Sequence, residues 1–235
     1  MKEKIVGIIG GMGPEATVDL MQRIIRATPA SDDVDHLRMI VDNNPKIPSR
    51  IKALLENIGE SPGPCMAEMG RKLADWGADF LVIPCNTAHY YYPEVQSAVQ
   101  IPVLHMIELT TSLVSKDNPG IKTVGIMATT ATLKTGLYSK ALGRHGISVV
   151  YPPEDLQNRL MDAIKTIKAG KYGKPEVETL KAVATALVAG KAQALILACT
   201  ELSIIGGALT PGPGIALYDA LQVLTEEIVK TAKSQ

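Results

Sequence analysis

Two cysteines stand at matching places in otherwise apolar surroundings. Cys85 follows the apolar run in "FLVIPCNTAH", residues 80–89, and Cys199 follows the one in "QALILACTELS", residues 193–203. Each comes after a strand-like stretch and before small polar groups that can open a helix. In an open parallel sheet, ligands bind outside the carboxyl ends of the strands, where helix N-termini gather. A thiol there is expected to ionise easily, its pKa falling from about 8.5 toward or below neutrality. If two such thiols met across one cleft, one could take a proton from one face of a carbon while the other returned a proton to the opposite face. The product would be the mirror image. Such chemistry needs paired acid and base groups of tunable pKa, with no metal and no covalent intermediate. Pre-aimed amides and cations must stabilise the carbanion. A cysteine at a strand end can also be a small buried hydrophobe; the matched positions, each followed by polar residues, favour the chemical reading. Cys65, after "SPGP", has no counterpart and reads as incidental.

The elements that must hold these residues alternate along the chain. Short β-branched runs predict strands at 4–9, 37–42, 79–84 and 101–105, then at 121–127, 147–151, 193–198 and 215–218. Amphipathic stretches between them predict helices, among them 64–76, 132–144, 154–169, 176–189 and 219–232, with Pro14, Pro153 and Pro175 in first turns. The class is α/β with mainly parallel sheets. The chain also repeats itself. "KIVGIIGGMGPEAT" from residue 4 matches "KTVGIMATTATLKT" from 122, the two cysteine segments match 114 residues apart, and "IPVLHMIELTTSLV" from 101 matches "GIALYDALQVLTEEIV" from 214. Three matches in one order predict two similar lobes, each a mainly parallel sheet flanked by helices, related by a pseudo-twofold axis with the active site between them. Residues 1–113 would form the first lobe and 114–218 the second, with the C-terminal helix 219–235 packing back onto the first.

Composition narrows the function. The 235 residues carry 24 Lys plus Arg against 24 Asp plus Glu, so bulk charge recruits neither nucleic acid nor an anionic membrane. No apolar run approaches the roughly 18–20 residues a membrane span needs, and the start does not read as a signal peptide, so a cytoplasmic protein is expected. Three widely spaced cysteines suit neither a disulfide framework nor a zinc site. Small-molecule chemistry is the remaining class, with a homodimer the expected assembly.

Several blocks resemble the aspartate/glutamate racemase superfamily, and most closely its cofactor-independent aspartate racemase branch: "GGMGPEAT" at 10–17, "IPSR" at 47–50, "PCNTAH" at 84–89, "ATTAT" at 128–132, "IKAGK" at 167–171 and "ACTELS" at 198–203. They fall in family order over nearly the whole chain, with Ala131 standing where the family often has glycine. The resemblance implies two α/β lobes and Cys85 and Cys199 as the proton-transferring pair, with no cofactor. It implies Arg50 and Lys168 as cations that hold the two carboxylates of aspartate or glutamate. Asn86, Thr87 and Thr200 would offer hydrogen bonds near the sulfurs, and Met12, Thr129 and Thr130 complete the expected substrate contacts. An arginine fork suits a carboxylate better than a lysine does. His89 and Glu201 stand second, as groups that could orient or tune the thiols or serve only as caps and solvated side chains.

Other readings compete. "GMGPEA" at 11–16 matches the G-x-G-x-x-A dinucleotide fingerprint, but the spacing to Asp42 is loose and Pro14 sits where helix amides should face pyrophosphate. A pyridoxal enzyme would need a Schiff-base lysine and a phosphate loop that nothing marks. Within the resembling superfamily, cis–trans isomerisation of a dicarboxylate, as in maleate isomerases, also uses two cysteines. A non-enzymatic protein closing on an acidic ligand would have no use for either thiol.

Overall fold

The computed structural model describes residues 3–56 and 58–234. The chain divides into two compact units, one formed by residues up to 106 together with those from 221 on, the other by 107–220. In chain order the first eight elements are β1 (Val6–Gly10), α1 (Pro14–Ala27), β2 (Met39–Asn43), α2 (Pro62–Asp75), β3 (Phe80–Val82), α3 (Tyr92–Ser97), β4 (Val103–Leu104) and α4 (Met106–Asp117). Then come β5 (Thr123–Ala128), α5 (Thr130–Thr135), α6 (Leu137–Gly143), β6 (Ser148–Val150), α7 (Glu154–Lys168) and α8 (Lys174–Ala189). The chain closes with β7 (Ala194–Ala198), α9 (Thr200–Gly206), β8 (Ala216–Asp219) and α10 (Ala220–Lys233). A 3-10 turn at Thr87–Tyr91 and a π-helical turn at Lys52–Glu56 matter for the site.

Each unit holds a four-stranded sheet, ordered β2-β1-β3-β4 in the first and β6-β5-β7-β8 in the second, and every pairing is parallel. Parallel sheets need both faces covered, so their inner strands read as unbroken apolar runs. Phe80–Val82 and Ala194–Ala198 are buried at every position. Period-two alternation then sorts their side chains. Ala194, Ile196 and Ala198 join the cluster under α4 and α6, whereas Leu195, Leu197 and Cys199 join the one under α7, α8 and α9. In the first unit Leu81, Ile83 and Cys85 take the same course, into the cluster that holds Met66, Met69 and Leu73 of α2. Helical spacing presents Leu160, Ile164 and Ile167 of α7, and Leu180, Val183 and Leu187 of α8, to the second sheet.

The repeat extends to single contacts. A Cβ on Gly7 would meet Leu81, Ala78 and Leu73, the nearest atom at 2.5 Å; on Gly125 it would meet Leu195, Leu187 and Ala192, the nearest at 2.7 Å. The preceding helices end alike. After α2, the Ala78 amide donates to the Leu73 carbonyl and Gly77 to Ala74; after α8, Ala192 donates to Leu187 and Lys191 to Val188. Both turns require a left-handed residue, which is Gly77 at φ 99° in the first unit but Lys191 at φ 69° in the second.

Two expectations need correction. The single helix expected over 132–144 is split, because Gly136 adopts φ 68° and ends α5 where α6 begins. Pro153 is the N-cap of α7 rather than a first-turn residue, while Pro14 does open α1. Replacing Lys191 by glycine should stabilise the protein by roughly 0.5–1 kcal/mol, since a side chain in the left-handed region costs more than glycine's extra freedom. Gly125→Ala should destabilise it by about 1–3 kcal/mol through overpacking. Urea-unfolding midpoints of the two variants read both effects, and a lower midpoint for Lys191→Gly contradicts the first.

Candidate functional site

In the first unit, Pro84 ends the β3 run and Cys85 follows, 7% exposed, its amide folded back onto the Ile83 carbonyl at 2.8 Å. The next residues coil into the 3-10 turn, with Asn86 at its N-cap and Asn86, Thr87 and His89 all buried. His89 locks this loop. The backbone N–H of Met106 donates to Nε2 at 3.1 Å, so Nε2 must be bare, and Nδ1 therefore carries the proton it donates to the Cys85 carbonyl at 2.8 Å. Burial pushes the pKa of His89 from 6.5 to about 3; His105, with ring centroids 4.9 Å apart, adds to the fall, and the Cys85 carbonyl opposes it. His89 is thus a neutral strut that sets the backbone bearing the thiol.

Arg50 is half-buried and uses Nη1 to bind two carbonyls of its own loop, Pro48 at 2.9 Å and Ile47 at 3.3 Å. Its Nε and Nη2 edge makes no hydrogen bond among the described residues. Burial raises the pKa of Tyr91, at the end of the turn after Cys85, and Arg50 is the positive charge that counters the rise. Arginine and cysteine loop are therefore neighbours within this unit.

Met12 departs from expectation. It is 2% exposed and its side chain belongs to the apolar cluster of the first unit, leaving only its backbone for a ligand. The glycines around it serve packing too. Gly11 has φ 94°, and a Cβ there would lie 2.2 Å from the Asn44 backbone; its amide already donates to Thr17 Oγ1 at 2.9 Å. The turn has spent that amide internally, and it offers a dinucleotide no fingerprint amide there. Cys65 packs half-buried against the same apolar cluster, with its sulfur 3.8 Å from Asn44 Nδ2 and its pKa raised by burial and then by Asp42.

In the second unit, Cys199 is the N-cap of α9 and 4% exposed. Its Sγ donates to Glu201 Oε2 at 3.0 Å, and Lys168 Nζ, one-third exposed at the end of α7, lies 3.8 Å from Glu201 Oε1. Oε1 makes no hydrogen bond among the described residues, so the lysine contact is one of charge. The expected easy ionisation is overturned at this thiol. Burial raises its pKa well above the ordinary 9.0, the Glu201 charge raises it further, and Lys168 only partly opposes them. A seven-residue helix cannot outweigh a buried carboxylate two residues away. Cys199 is held as a thiol whose proton is already engaged. Thr200 is buried beside it as the first residue of α9.

At the end of β5, Thr129 Oγ1 accepts from the Thr132 amide at 3.2 Å and caps α5, which commits this oxygen to structure. Thr130 is half-buried and bound by α7: Gln157 Nε2 reaches its Oγ1 at 3.2 Å, and its amide donates to Met161 Sδ at 3.2 Å. Neither Gln157 nor Met161 stood out in the sequence. The signal was there, because Gln157 is a polar residue on the stripe that continues with Leu160, Ile164 and Ile167. The structure thus joins Cys85, Asn86, Thr87, His89 and Arg50 around one strand end. It joins Cys199, Thr200, Glu201 and Lys168 around another, with Thr129 and Thr130 on the neighbouring strand. No helix among the described residues is long and apolar enough to cross a membrane.

The neutral state of His89 carries a pH dependence. Its folded pKa lies below the ordinary one, so its contribution to stability is complete above pH 6.5 and is lost as pH falls toward 3, by up to about 5 kcal/mol. Nitrogen-15 spectra of the ring should keep the neutral, Nδ1-protonated signature at pH 5. An imidazolium signal at that pH in folded protein contradicts the assignment.

Comparison with known proteins agrees with these features. Residues 9–228 match the family model described as Asp/Glu/Hydantoin racemase. The structure is similar to Picrophilus torridus aspartate racemase, with TM-score 0.85 and 35% identity over 99% of this chain and 95% of that one. The broad specificity amino-acid racemase RacX of Bacillus subtilis is 29% identical over 207 residues, 86% of this chain and 87% of that protein. Glutamate racemase from Francisella tularensis, solved with D-glutamate, shares the fold at TM-score 0.69 and 21% identity, over 98% of this chain and 81% of that one. With its two four-stranded parallel sheets and a cysteine after the third strand of each, the chain belongs to the Asp/Glu/hydantoin racemase family, a family of isomerases.

Proposed function

We propose that the protein is a pyridoxal-independent racemase of aspartate or glutamate, with Cys85 and Cys199 exchanging the α-proton from opposite faces of the substrate. The observation that carries this reading is the engaged thiol: Cys199 Sγ donating to Glu201, with Lys168 at the other carboxylate oxygen. A thiol with a raised pKa suits an acid that protonates a carbanion. In one direction the Cys85 thiolate removes the α-hydrogen, the electron pair stays on the carbon, and the Cys199 S–H bond breaks to deliver a proton to the other face. Cys85 ends as the thiol and Cys199 as the thiolate, which is the starting form for the opposite enantiomer. When Cys199 becomes a thiolate, the nearby Lys168 ammonium offsets the charge that it and Glu201 then share.

The substrate's two carboxylates call for two cations. Among the described residues Arg50 leaves a whole guanidinium edge unengaged, the geometry that takes a carboxylate in a bidentate pair, and Lys168 supplies the second charge. Asn86, Thr87, Thr130 and Thr200 stand at the same strand ends as hydrogen-bonding groups. The similarity to an aspartate racemase and to a broad specificity racemase supports an amino-acid substrate, and the two cations favour an acidic one. A cytoplasmic homodimer is part of the same proposal.

Purified protein without added pyridoxal phosphate should racemise L-aspartate or L-glutamate. In D₂O the product should carry deuterium at the α-carbon. Cys85→Ala and Cys199→Ala should each lower kcat by at least about 10³-fold, the loss of an essential acid or base. Full activity in either variant, read by chiral chromatography, refutes the two-thiol scheme. Glu201→Gln removes the charge that raises the Cys199 pKa. In a background lacking Cys65 and Cys85, it should speed alkylation of Cys199 by iodoacetamide at pH 8 by about tenfold or more. An unchanged alkylation rate means that Glu201 does not govern the thiol.

A further inference from the structure

Gln157 sits where an apolar residue would be expected. It is 8% exposed, on the face of α7 that continues as Leu160, Ile164 and Ile167, each 1% exposed or less. Burying an amide there is unfavourable unless its donors and acceptor are matched, and only the donors are. Nε2 donates to the Ala128 carbonyl at 3.0 Å and to Thr130 Oγ1 at 3.2 Å, while Oε1 has no hydrogen-bond partner among the described residues. The orientation follows from Ala128, because a carbonyl can only accept; turning the amide over would set two oxygens against each other at that distance. A leucine or methionine would continue the stripe without leaving an orphan oxygen.

The arrangement decides which way one hydroxyl points. Since Gln157 donates to Thr130 Oγ1, that oxygen is an acceptor toward α7, and its own hydrogen remains to be given to something else. No other hydrogen bond involves this hydroxyl among the described residues. The Thr130 amide is tied to Met161, one turn further along the same helix, so α7 grips the residue at both its backbone and its side chain. Thr129 instead engages Thr132, accepting from its amide and sharing a hydrogen bond with its hydroxyl at 3.0 Å. Of the two threonines after β5, Thr130 is the one whose hydroxyl is oriented by α7.

We propose that Gln157 is a positioning residue that turns the Thr130 hydroxyl into an outward-facing donor for a carboxylate of the acidic amino acid. Gln157 does not touch the substrate. It acts through Thr130, and its unmatched Oε1 is the cost of keeping a double donor at that place rather than an apolar side chain. The inference rests on the reading of the site as one for aspartate or glutamate.

Gln157→Met keeps the volume and removes both donors. Relative to wild type it should raise the KM for aspartate or glutamate, and the Kd measured by calorimetry, about tenfold, while kcat changes much less, the pattern of a lost ground-state contact. Thr130→Val should do the same. In the double variant KM should rise no further than in Thr130→Val alone, because the two residues act as one unit. Gln157→Glu adds a pH readout that a packing role would not show: its carboxylate can only accept and would turn the Thr130 hydrogen inward, whereas the protonated carboxyl can donate to Thr130 Oγ1, so KM should fall as pH is lowered from 8 to 6. Unchanged KM and Kd in Gln157→Met, or effects that multiply in the double variant, overturn the inference and leave the racemase reading standing. A wild-type protein that neither racemises nor binds aspartate or glutamate removes that reading, and this inference with it.

Discussion

A buried carboxylate accepting a hydrogen bond from a buried thiol is the interaction around which the second unit is arranged. Left alone, a glutamate with so little exposure would be costly as an anion. The S–H donor on one oxygen and the Lys168 ammonium near the other are what make it tenable. Each of the three groups is placed by a different element: Cys199 by the end of β7, Glu201 by the first turn of α9, and Lys168 by the last residue of α7. The start of α7 is tied to the end of β5 through Gln157 and Met161. The helix that presents the lysine is therefore fixed against the adjacent strand of the sheet that presents the thiol.

That placement follows from a simple periodicity. In a sheet covered on both faces, every second residue turns to the same side, and the row Leu195, Leu197, Cys199 delivers the sulfur to the side lined by α7 and α8. The row Leu81, Ile83, Cys85 does likewise beside α2. Gly7 and Gly125 let the Leu81 and Leu195 side chains lie flat against the neighbouring central strand, so a bulkier residue at either glycine would be felt two positions from the row's thiol end.

Much of this was legible before the structure. Inner strands announce themselves because burial on both faces demands an apolar run, and both cysteines were readable as the points where such runs stop. Helix ends were harder. The split at Gly136 depends on one residue entering the left-handed region, which glycine permits but does not dictate. The behaviour of Cys199 was misjudged for a different reason. A helix N-terminus lowers a thiol pKa, yet how deeply the sulfur is buried and whether Glu201 turns inward toward it are tertiary facts, and together they outweigh the helix. Met12 was expected at the site from the resemblance alone, which does not reveal that the chain folds its side chain into the core. Gln157 was passed over because one polar residue in an amphipathic helix is ordinary until its neighbours show that it lies on the buried face.

The two thiol environments differ although the scaffolds around them repeat. Beside Cys85 the nearby titratable group is a neutral histidine bonded to the backbone carbonyl; beside Cys199 it is a glutamate bonded to the sulfur itself. For the proposed racemisation this asymmetry carries no thermodynamic penalty. Enantiomers have equal free energies in water, so the equilibrium constant is one and kcat/KM must be the same for both substrates, however unlike the two acid–base groups are. What unequal thiols change is the division of that ratio into kcat and KM, and the protonation form in which the free enzyme rests. A thiol held protonated by burial and by Glu201 biases the resting enzyme toward the form in which Cys199 is the acid, the form that accepts the enantiomer whose α-hydrogen faces Cys85. The duplicated fold supplies two equivalent places for sulfur, and the divergent residues after each strand assign them different resting states.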